Sequence, residues 1–432
     1  MNVSRAARIR AVIDVPPDKS ISHRAFIFNS IADGDAVVDQ PLDSEDVRST
    51  VRCLRALGVS IDWPAGASSA TVHGRGMHGL FESEEVLDCG NSGTTIRLLT
   101  GLLAAHPVLS ILTGDESLRR RPMARVIAPL RRMGAHVHAR TGDTLAPVVV
   151  KGGDLAGIDY ETPVASAQVK SALLLAGLYA SGMTRVVEPS RSRDHTERML
   201  TAMGASLQVD ERAVTVAAAT GLRPLSLRVP GDISSAAPWL VLGACHPDAE
   251  ISIHGVNVNR TRTGLLDILS AMGADVEVHE ERVSGGEPVA DLTVRSSRLR
   301  GTLVGGSVVP RAIDELPLVA LLGCFAEGET VVRDAAELRA KESDRVEAVC
   351  TTLGRMGVKV TARPDGFVIH GPAALRGARV DAGGDHRVGM LAGVAGMLAS
   401  GETRVENGAV EVSYPAFWEH LRDSAGERVP SP

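Results

Sequence analysis

A short run near the N-terminus, Lys19-Ser20-Ile21-Ser22-His23-Arg24, sets a lysine, a hydroxyl and an arginine where they can converge. Ser20 and Arg24 are four residues apart and share a helical face, with Lys19 just ahead of them. Pro17-Asp18 before them and the apolar Ala25-Phe26-Ile27-Phe28 after them read as a loop entering a helix. The first turn of a helix leaves N–H groups unpaired and carries partial positive charge, so three more donors there make a seat for a phosphate or carboxylate. An N-cap serine beside a solvated arginine is the plain alternative for one such match. The arrangement recurs along the chain, and the recurrence favours the anion seat.

Gly90-Asn91-Ser92-Gly93-Thr94 opens another helix with small residues that let backbone approach a ligand, and Arg97 follows one turn after Gly93. A plain N-cap explains that stretch equally well. Arg119-Arg120-Arg121 is a charge run of the kind usually found on a solvated face. Pro122 behind it predicts a helix start next to Arg121, which makes that arginine a phosphate clamp. Ser166, Gln168 and Lys170 interrupt an apolar helix, and Arg193-Asp194-His195-Thr196-Glu197 is a dense ionisable group in which local pairing competes with catalysis for His195. Asp314-Glu315 introduces a helix, and Lys341-Glu342-Ser343-Asp344-Arg345 places carboxylates between cations. Such a carboxylate stays ionised by default; desolvated among anions it can hold a proton, as a general acid must. Asp385-His386-Arg387 follows Gly383-Gly384 at the last such helix start.

The elements that carry these groups repeat. A Leu/Met-Gly helix end occurs at Leu57-Gly58, Met133-Gly134, Met203-Gly204, Met272-Gly273 and Met356-Gly357, at intervals of 76, 70, 69 and 84 residues. Glycine just past a helix takes the left-handed conformation cheaply. Alternating stretches follow, such as Val59 to Trp63, Ala205 to Val209 and Ala274 to Val278, the pattern of half-buried strands. Each unit has a second, apolar helix, beginning near Lys19-Ser20, Gly90 to Thr94, Ala165 to Gln168, Gly231 to Ser235, Ile313 to Glu315 or Gly384 to Arg387, buried with its N-terminus exposed. A sixth helix around Pro415 to Arg422 has no strand after it, and the N-terminal strand Arg8 to Val15 is expected to complete that last unit. The expected class is α/β (α+β) with two similar lobes of three repeats. One spans 18–229; the other is discontinuous, 1–17 plus 230–432, with paired hinges near 15–18 and 227–231 that can close on a ligand. The tail Ser424 to Pro432 is expected to be loosely ordered.

Composition bounds the partners. The chain has 432 residues, 44% of them hydrophobic, 3% aromatic and a net charge of −6, so the core is aliphatic and nucleic acid is an unsuitable partner. Five scattered cysteines, without a CxxC pair, argue against a metal site or disulfide framework and fit a reducing compartment. The basic N-terminus lacks an apolar stretch behind it, and the longest apolar runs are too short to span a bilayer. The expectation is a cytoplasmic protein, off the membrane, that binds small anions.

Together, Lys19 to Arg24, Gly90 to Thr94, Arg121-Pro122, Ser166 to Gln168, Asp314-Glu315, Lys341 to Arg345 and Asp385 to Arg387 resemble the 5-enolpyruvylshikimate-3-phosphate synthase family over essentially the full chain. The resemblance implies the enolpyruvyl transferase fold, an inside-out α/β barrel of βαβαββ units with helix N-termini facing a cleft. It implies transfer of the carboxyvinyl group of phosphoenolpyruvate to the 5-hydroxyl of shikimate 3-phosphate by addition and elimination, in aromatic amino acid biosynthesis. Carried over by position, Lys19, Ser20, Arg24, Ser166, Ala167, Gln168, Arg193, Asp314 and Lys341 hold shikimate 3-phosphate. Lys19, Gly93, Arg121, Gln168, Arg345 and Arg387 hold phosphoenolpyruvate, with Asn91, Thr94 and His386 also in the cleft. Asp314 is the base at the 5-hydroxyl; Glu342, with Lys19, moves the proton at the methylene. No metal or organic cofactor is implied, and the enzyme is expected to be a monomer.

Two positions depart from the commoner bacterial pattern: Pro17 stands in place of a usual Gly, and Val412-Ser413-Tyr414-Pro415 lacks a Lys that many members direct at phosphoenolpyruvate. Arg193 to Glu197, Ser166 to Lys170 and Asn259-Arg260-Thr261-Arg262 are similar to the glyphosate-tolerant class, although Gly93 stands where some tolerant members have Ala. The related cell-wall transferase acting on UDP-N-acetylglucosamine carries a Cys ahead of its Arg-Pro pair; Gly114 to Leu118 has none. A non-catalytic repeat scaffold binding anions at its helix ends has no use for Asp314 and Glu342 among so many cations.

Overall fold

The computed structural model describes residues 1–426. The chain divides into two compact units, one formed by Pro17–Val229 with Val283–Glu287, the other by Met1–Pro16, Pro230–Arg282 and the chain from Pro288 onward. Each has its own aliphatic core.

Six helices are the framework: α1 (Lys19–Ser30), α2 (Gly93–Leu103), α3 (Ala167–Gly177), α4 (Ile233–Cys245), α5 (Leu316–Phe325) and α6 (His386–Leu398). The bodies of α2 to α6 are largely apolar, as in Leu173-Leu174-Leu175-Ala176, and so sit in an interior. Helix α1 is buried as well but carries Ser22, His23, Arg24 and Asn29 inward beside Phe26-Ile27-Phe28. Helices α1 to α3 lie in the first unit and α4 to α6 in the second. Close approach fixes α2 on α3: a Cβ on Gly101 would stand 2.3 Å from the Ala172 carbonyl oxygen. Six amphipathic helices, among them Glu45–Ala56, His195–Ala202 and Arg345–Arg355, each bury one face against this framework and expose the other. Five of the amphipathic helices end at the expected Leu/Met-Gly, and the glycines after them have φ between +81° and +101°.

Six small open sheets cover the helices, five of four strands and one of three. Their strands alternate buried and exposed side chains, Ser110 and Leu112 inward and Leu109 and Ile111 outward in one of them, so the sheets lie outside and the helices inside each unit. The repeat is visible in the register: in Leu87–Asp88, Gly93–Leu103, Leu109–Thr113, Ala124–Arg132, His136–Ala139 and Leu145–Lys151, the first strand runs parallel to the second, and the fourth pairs antiparallel with the second and the third. Asp159 to Ala217 repeats the pattern.

The N-terminal strand differs from expectation. Ile9–Asp14 does not complete the last repeat; it lies parallel to Ala249–Asn257 and opens the first repeat of the discontinuous unit. A shorter strand, Asn2–Ser4, pairs antiparallel with Glu402–Glu406 and completes the last repeat, helped by the Met1 amino group bonded to the Val405 carbonyl at 2.8 Å. The alternation of Ile9, Ala11 and Ile13 marks a strand but carries no address. The helix expected near Pro415 is Phe417–Ser424, so the expected loose tail begins inside a helix; its residues 427–432 lie outside the described residues.

Candidate active site

The anion-binding candidates of the first unit are held in several hydrogen-bonded groups. Asp18 caps α1 by accepting from the Ile21 amide at 2.9 Å, which leaves Lys19 and Ser20 in the first turn; Ser20 itself is not the cap. Lys19 Nζ donates to Asp46 Oδ2 at 3.0 Å. Arg24 is buried and its guanidinium donates to the Ser20 carbonyl, Thr196 Oγ1 and Ser171 Oγ at 2.8–2.9 Å, all neutral acceptors. Burial draws its pKa down to about 10, with Glu197 opposing and the nearby Arg193 adding to the fall. A guanidinium so placed gains from an arriving anion.

Ser166 caps α3, Ala167 is its first residue, and Gln168 faces α2. Gln168 Oε1 accepts from Arg97 Nη1 at 2.6 Å, and its Nε2 donates to Thr94 Oγ1 at 3.0 Å. Because guanidinium can only donate, Arg97 fixes which way the amide points. Gly93 is the first residue of α2, and a Cβ there would meet Arg97 Nη1 at 2.7 Å and Arg121 Nη1 at 3.4 Å. Arg121 donates to Asn91 Oδ1, and Asn91 in turn donates Nδ2 to Asp115 Oδ2 at 2.6 Å. The helix expected directly behind it begins later, at Ala124, because Leu118–Arg120 forms a 3-10 turn and Met123 is the cap. Arg193 is half-buried on the loop before helix His195–Ala202.

Two candidates have local roles. Lys170 Nζ sits between Glu188 Oε2 at 2.9 Å and Glu197 Oε1 at 2.7 Å, all three side chains almost fully buried. Burial disfavours its charge, yet the two carboxylates outweigh it and hold the pKa above the usual lysine value. His195 pairs through Nδ1 with Glu287 Oε1 at 2.8 Å and has no exposed surface.

The second unit gathers the carboxylates. Asp314 Oδ1 receives Lys341 Nζ and Arg345 Nη1, both at 3.2 Å, and Glu342 Oε2 receives Arg345 Nη2 at 2.6 Å. Asp385 caps α6 through the Arg387 amide and takes Arg345 Nε at 2.9 Å. Burial alone would weaken the Arg345 cation; Glu342, Asp385 and Asp314 reverse that and raise its pKa. Burial likewise opposes the Asp385 charge, and Arg345 holds its pKa below the usual range regardless. Arg387, on α6 behind the buried His386, donates Nη1 to the Ser234 carbonyl at 2.9 Å. Glu315 occupies the cap position of α5 but makes no cap bond; it accepts from the Ser234 hydroxyl instead.

Asp46, Ser171, Thr196 and Ser234 were not legible as parts of these clusters. A signal existed for Ser234: Asp232-Ile233-Ser234 stands at the start of α4 as Asp18-Lys19-Ser20 stands at the start of α1.

The chain matches the family model described as EPSP synthase (3-phosphoshikimate 1-carboxyvinyltransferase) over residues 3–421. It is 52% identical over 422 residues to the 3-phosphoshikimate 1-carboxyvinyltransferase of Herpetosiphon aurantiacus, covering 97% of each chain. It is also 52% identical to that of Gloeobacter violaceus, over 97% of this chain and 98% of the relative. The solved EPSP synthase of Acinetobacter baumannii superposes with a TM-score of 0.88 at 40% identity, covering 98% of this chain and 97% of that one. The chain belongs to the EPSP synthase family and has its two-lobe enolpyruvyl transferase fold.

Proposed function

We propose that the protein transfers the carboxyvinyl group of phosphoenolpyruvate to the 5-hydroxyl of shikimate 3-phosphate, releasing phosphate, in the synthesis of aromatic amino acids. The observation that carries the reading is the full-length match to enzymes of this activity, at 52% identity. Asp314 takes the proton of the 5-hydroxyl as its oxygen attacks C2 of phosphoenolpyruvate, while Glu342, with Lys19, delivers a proton to C3. Removal of a C3 proton then expels phosphate. Lys341 Nζ and Arg345 Nη1, both at 3.2 Å from Asp314 Oδ1, hold that carboxylate in place.

In this reading Lys19, Ser20, Arg24, Ser166, Ala167, Gln168, Arg193, Asp314 and Lys341 serve shikimate 3-phosphate, and Arg24 is suited to it because it is buried and its guanidinium donates to neutral acceptors. Lys19, Gly93, Arg121, Gln168, Arg345 and Arg387 serve phosphoenolpyruvate, with Asn91, Thr94 and His386 beside them. Arg345 meets that anion with its charge already shared among three carboxylates, so substrate competes with them for it. The functional lobes are 18–229 and 1–17 with 230–432. The enzyme works as a cytoplasmic monomer; no helix among the described residues is long and apolar enough to cross a membrane.

The test is phosphate release from phosphoenolpyruvate with shikimate 3-phosphate or UDP-N-acetylglucosamine as acceptor, alongside Asp314→Ala. Release with the shikimate acceptor alone, lost in the variant, supports the reading; silence with both from folded protein sinks it. Reduced glyphosate sensitivity belongs to the same reading, on Arg193 to Glu197, Ser166 to Lys170 and Asn259 to Arg262, and a low-micromolar inhibition constant contradicts it.

A further inference from the structure

Ser234, in the first turn of α4, touches groups from three other segments and has no exposed surface. Its hydroxyl accepts from Arg262 Nη2 at 2.8 Å and donates to Glu315 Oε1, while its carbonyl accepts from Arg387 Nη1 at 2.9 Å. The direction of the hydroxyl bond is settled by its neighbours. Guanidinium can only donate, so the single hydroxyl proton of Ser234 points at Glu315. Arg262 is itself held by Asp232 Oδ1 at 2.9 Å, and Asp232 caps α4 through the Ser234 amide at 2.8 Å. Every polar atom of Ser234 is therefore used, and its rotamer is fixed from both sides.

We propose that Ser234 and Glu315 are positioning residues that set Asp314 against Arg387, a role resting on the assignment of Asp314 as base. Glu315 is one peptide bond from Asp314, both just ahead of α5, and Glu315 is buried at the cap position without capping that helix. Its carboxylate is turned instead toward Ser234. Anchoring Glu315 there fixes the backbone from which Asp314 reaches Lys341 and Arg345. The same serine, through its carbonyl, anchors the Arg387 side chain at the start of α6. One residue of α4 thereby registers the starts of α5 and α6, and with them the base and a phosphoenolpyruvate clamp. A catalytic contact misplaced by about an ångström costs on the order of a hundredfold in rate, and the buried polar network around Ser234 guards against that displacement.

The test is steady-state kinetics on Ser234→Ala, Glu315→Ala, Glu315→Gln and the Ser234→Ala/Glu315→Ala double variant, with Asp314→Ala as reference. Ser234→Ala keeps the carbonyl bond to Arg387 and loses the hydroxyl's links to Glu315 and Arg262, whereas Glu315→Ala cuts the first link alone. We expect kcat to fall tenfold or more in Ser234→Ala and Glu315→Ala, with KM for phosphoenolpyruvate changed less than threefold. The double variant should be no worse than the poorer single one, since both cut the same link. Glu315→Gln keeps an acceptor for Ser234 and should stay within threefold of the parent. A kcat within twofold of the parent in folded Ser234→Ala, or multiplying losses in the double variant, overturns the proposal. Should Ser234→Ala not fold, Glu315→Gln decides: retained kcat supports positioning, and a thirtyfold loss assigns Glu315 a charge role instead. Activity surviving in Asp314→Ala would refute the base assignment itself, separately from these outcomes.

Discussion

Arg345 and Asp385 face each other with two donors against two acceptors, Nε to Oδ2 at 2.9 Å and Nη2 to Oδ1 at 3.3 Å, and neither side chain has more than 1% of its surface exposed. Removing one partner of a buried pair leaves the other without compensation, at about 3–5 kcal/mol. Asp385 also caps α6 and accepts from Ser343 Oγ at 2.8 Å, whereas Glu342 and Asp314 remain beside Arg345. Asp385→Ala should therefore lose about 3 kcal/mol in urea unfolding. Unchanged stability would mean that the remaining carboxylates carry the guanidinium unaided.

His23 makes the fold sensitive to acid. Burial holds its pKa at about 3 against an ordinary 6.5, and Nδ1 meets Thr50 Oγ1 at 2.7 Å. Asp46 opposes the shift, while Lys19 and Arg24 add to it. Between those two pH values the unfolded ring binds a proton that the folded one refuses. Stability is thus fully present above 6.5 and declines as pH falls toward 3, by on the order of 4 kcal/mol. His23→Gln, which cannot titrate, should flatten that slope; an unaltered slope would place the acid sensitivity elsewhere.

Lys170 holds two buried carboxylates, so Lys170→Met leaves Glu188 and Glu197 facing each other without a cation. A loss of about 3–5 kcal/mol is expected. Adding Glu188→Gln and Glu197→Gln to the same chain should recover much of it, measured by thermal or urea unfolding.

Arg97 orients Gln168, and Gly93 leaves room for Arg97 to do so. Arg97→Ala should raise KM for phosphoenolpyruvate about tenfold, roughly 1.4 kcal/mol, with kcat within threefold. Gly93→Ala should act in the same direction, because its Cβ would displace a flexible guanidinium and leave backbone undisturbed. Combining the two should give little more than Arg97→Ala alone; full additivity would show that the glycine acts on something else.

Local chemistry is what the sequence displays well. The helix ends at Leu57-Gly58 and its counterparts, and the helix starts at Lys19, Gly93 and His386, each rest on a cap or an apolar run a few residues long, and the structure has them where the pattern puts them. Pairing between distant segments is not written locally. Ile9–Asp14 would suit any sheet with a parallel vacancy, so its partner could not be read from its own residues. The same holds for side chains: Lys170 and Arg24 sit alike on apolar helices, and only the carboxylates around the one and the hydroxyls around the other separate a structural ion group from a ligand seat.

The strand Asn2–Ser4 has a consequence for synthesis of the chain. Its partner Glu402–Glu406 emerges from the ribosome about four hundred residues later, and Ile9–Asp14 waits for Ala249–Asn257. At about 5–20 residues per second the wait for the last partner is roughly 20–80 s. During that time Pro17–Val229, whose sheets are closed by its own residues, can fold while the leader stays unpaired. A nascent chain stalled before residue 402 should therefore leave Asn2–Ser4 open to a protease, and the released protein should protect it.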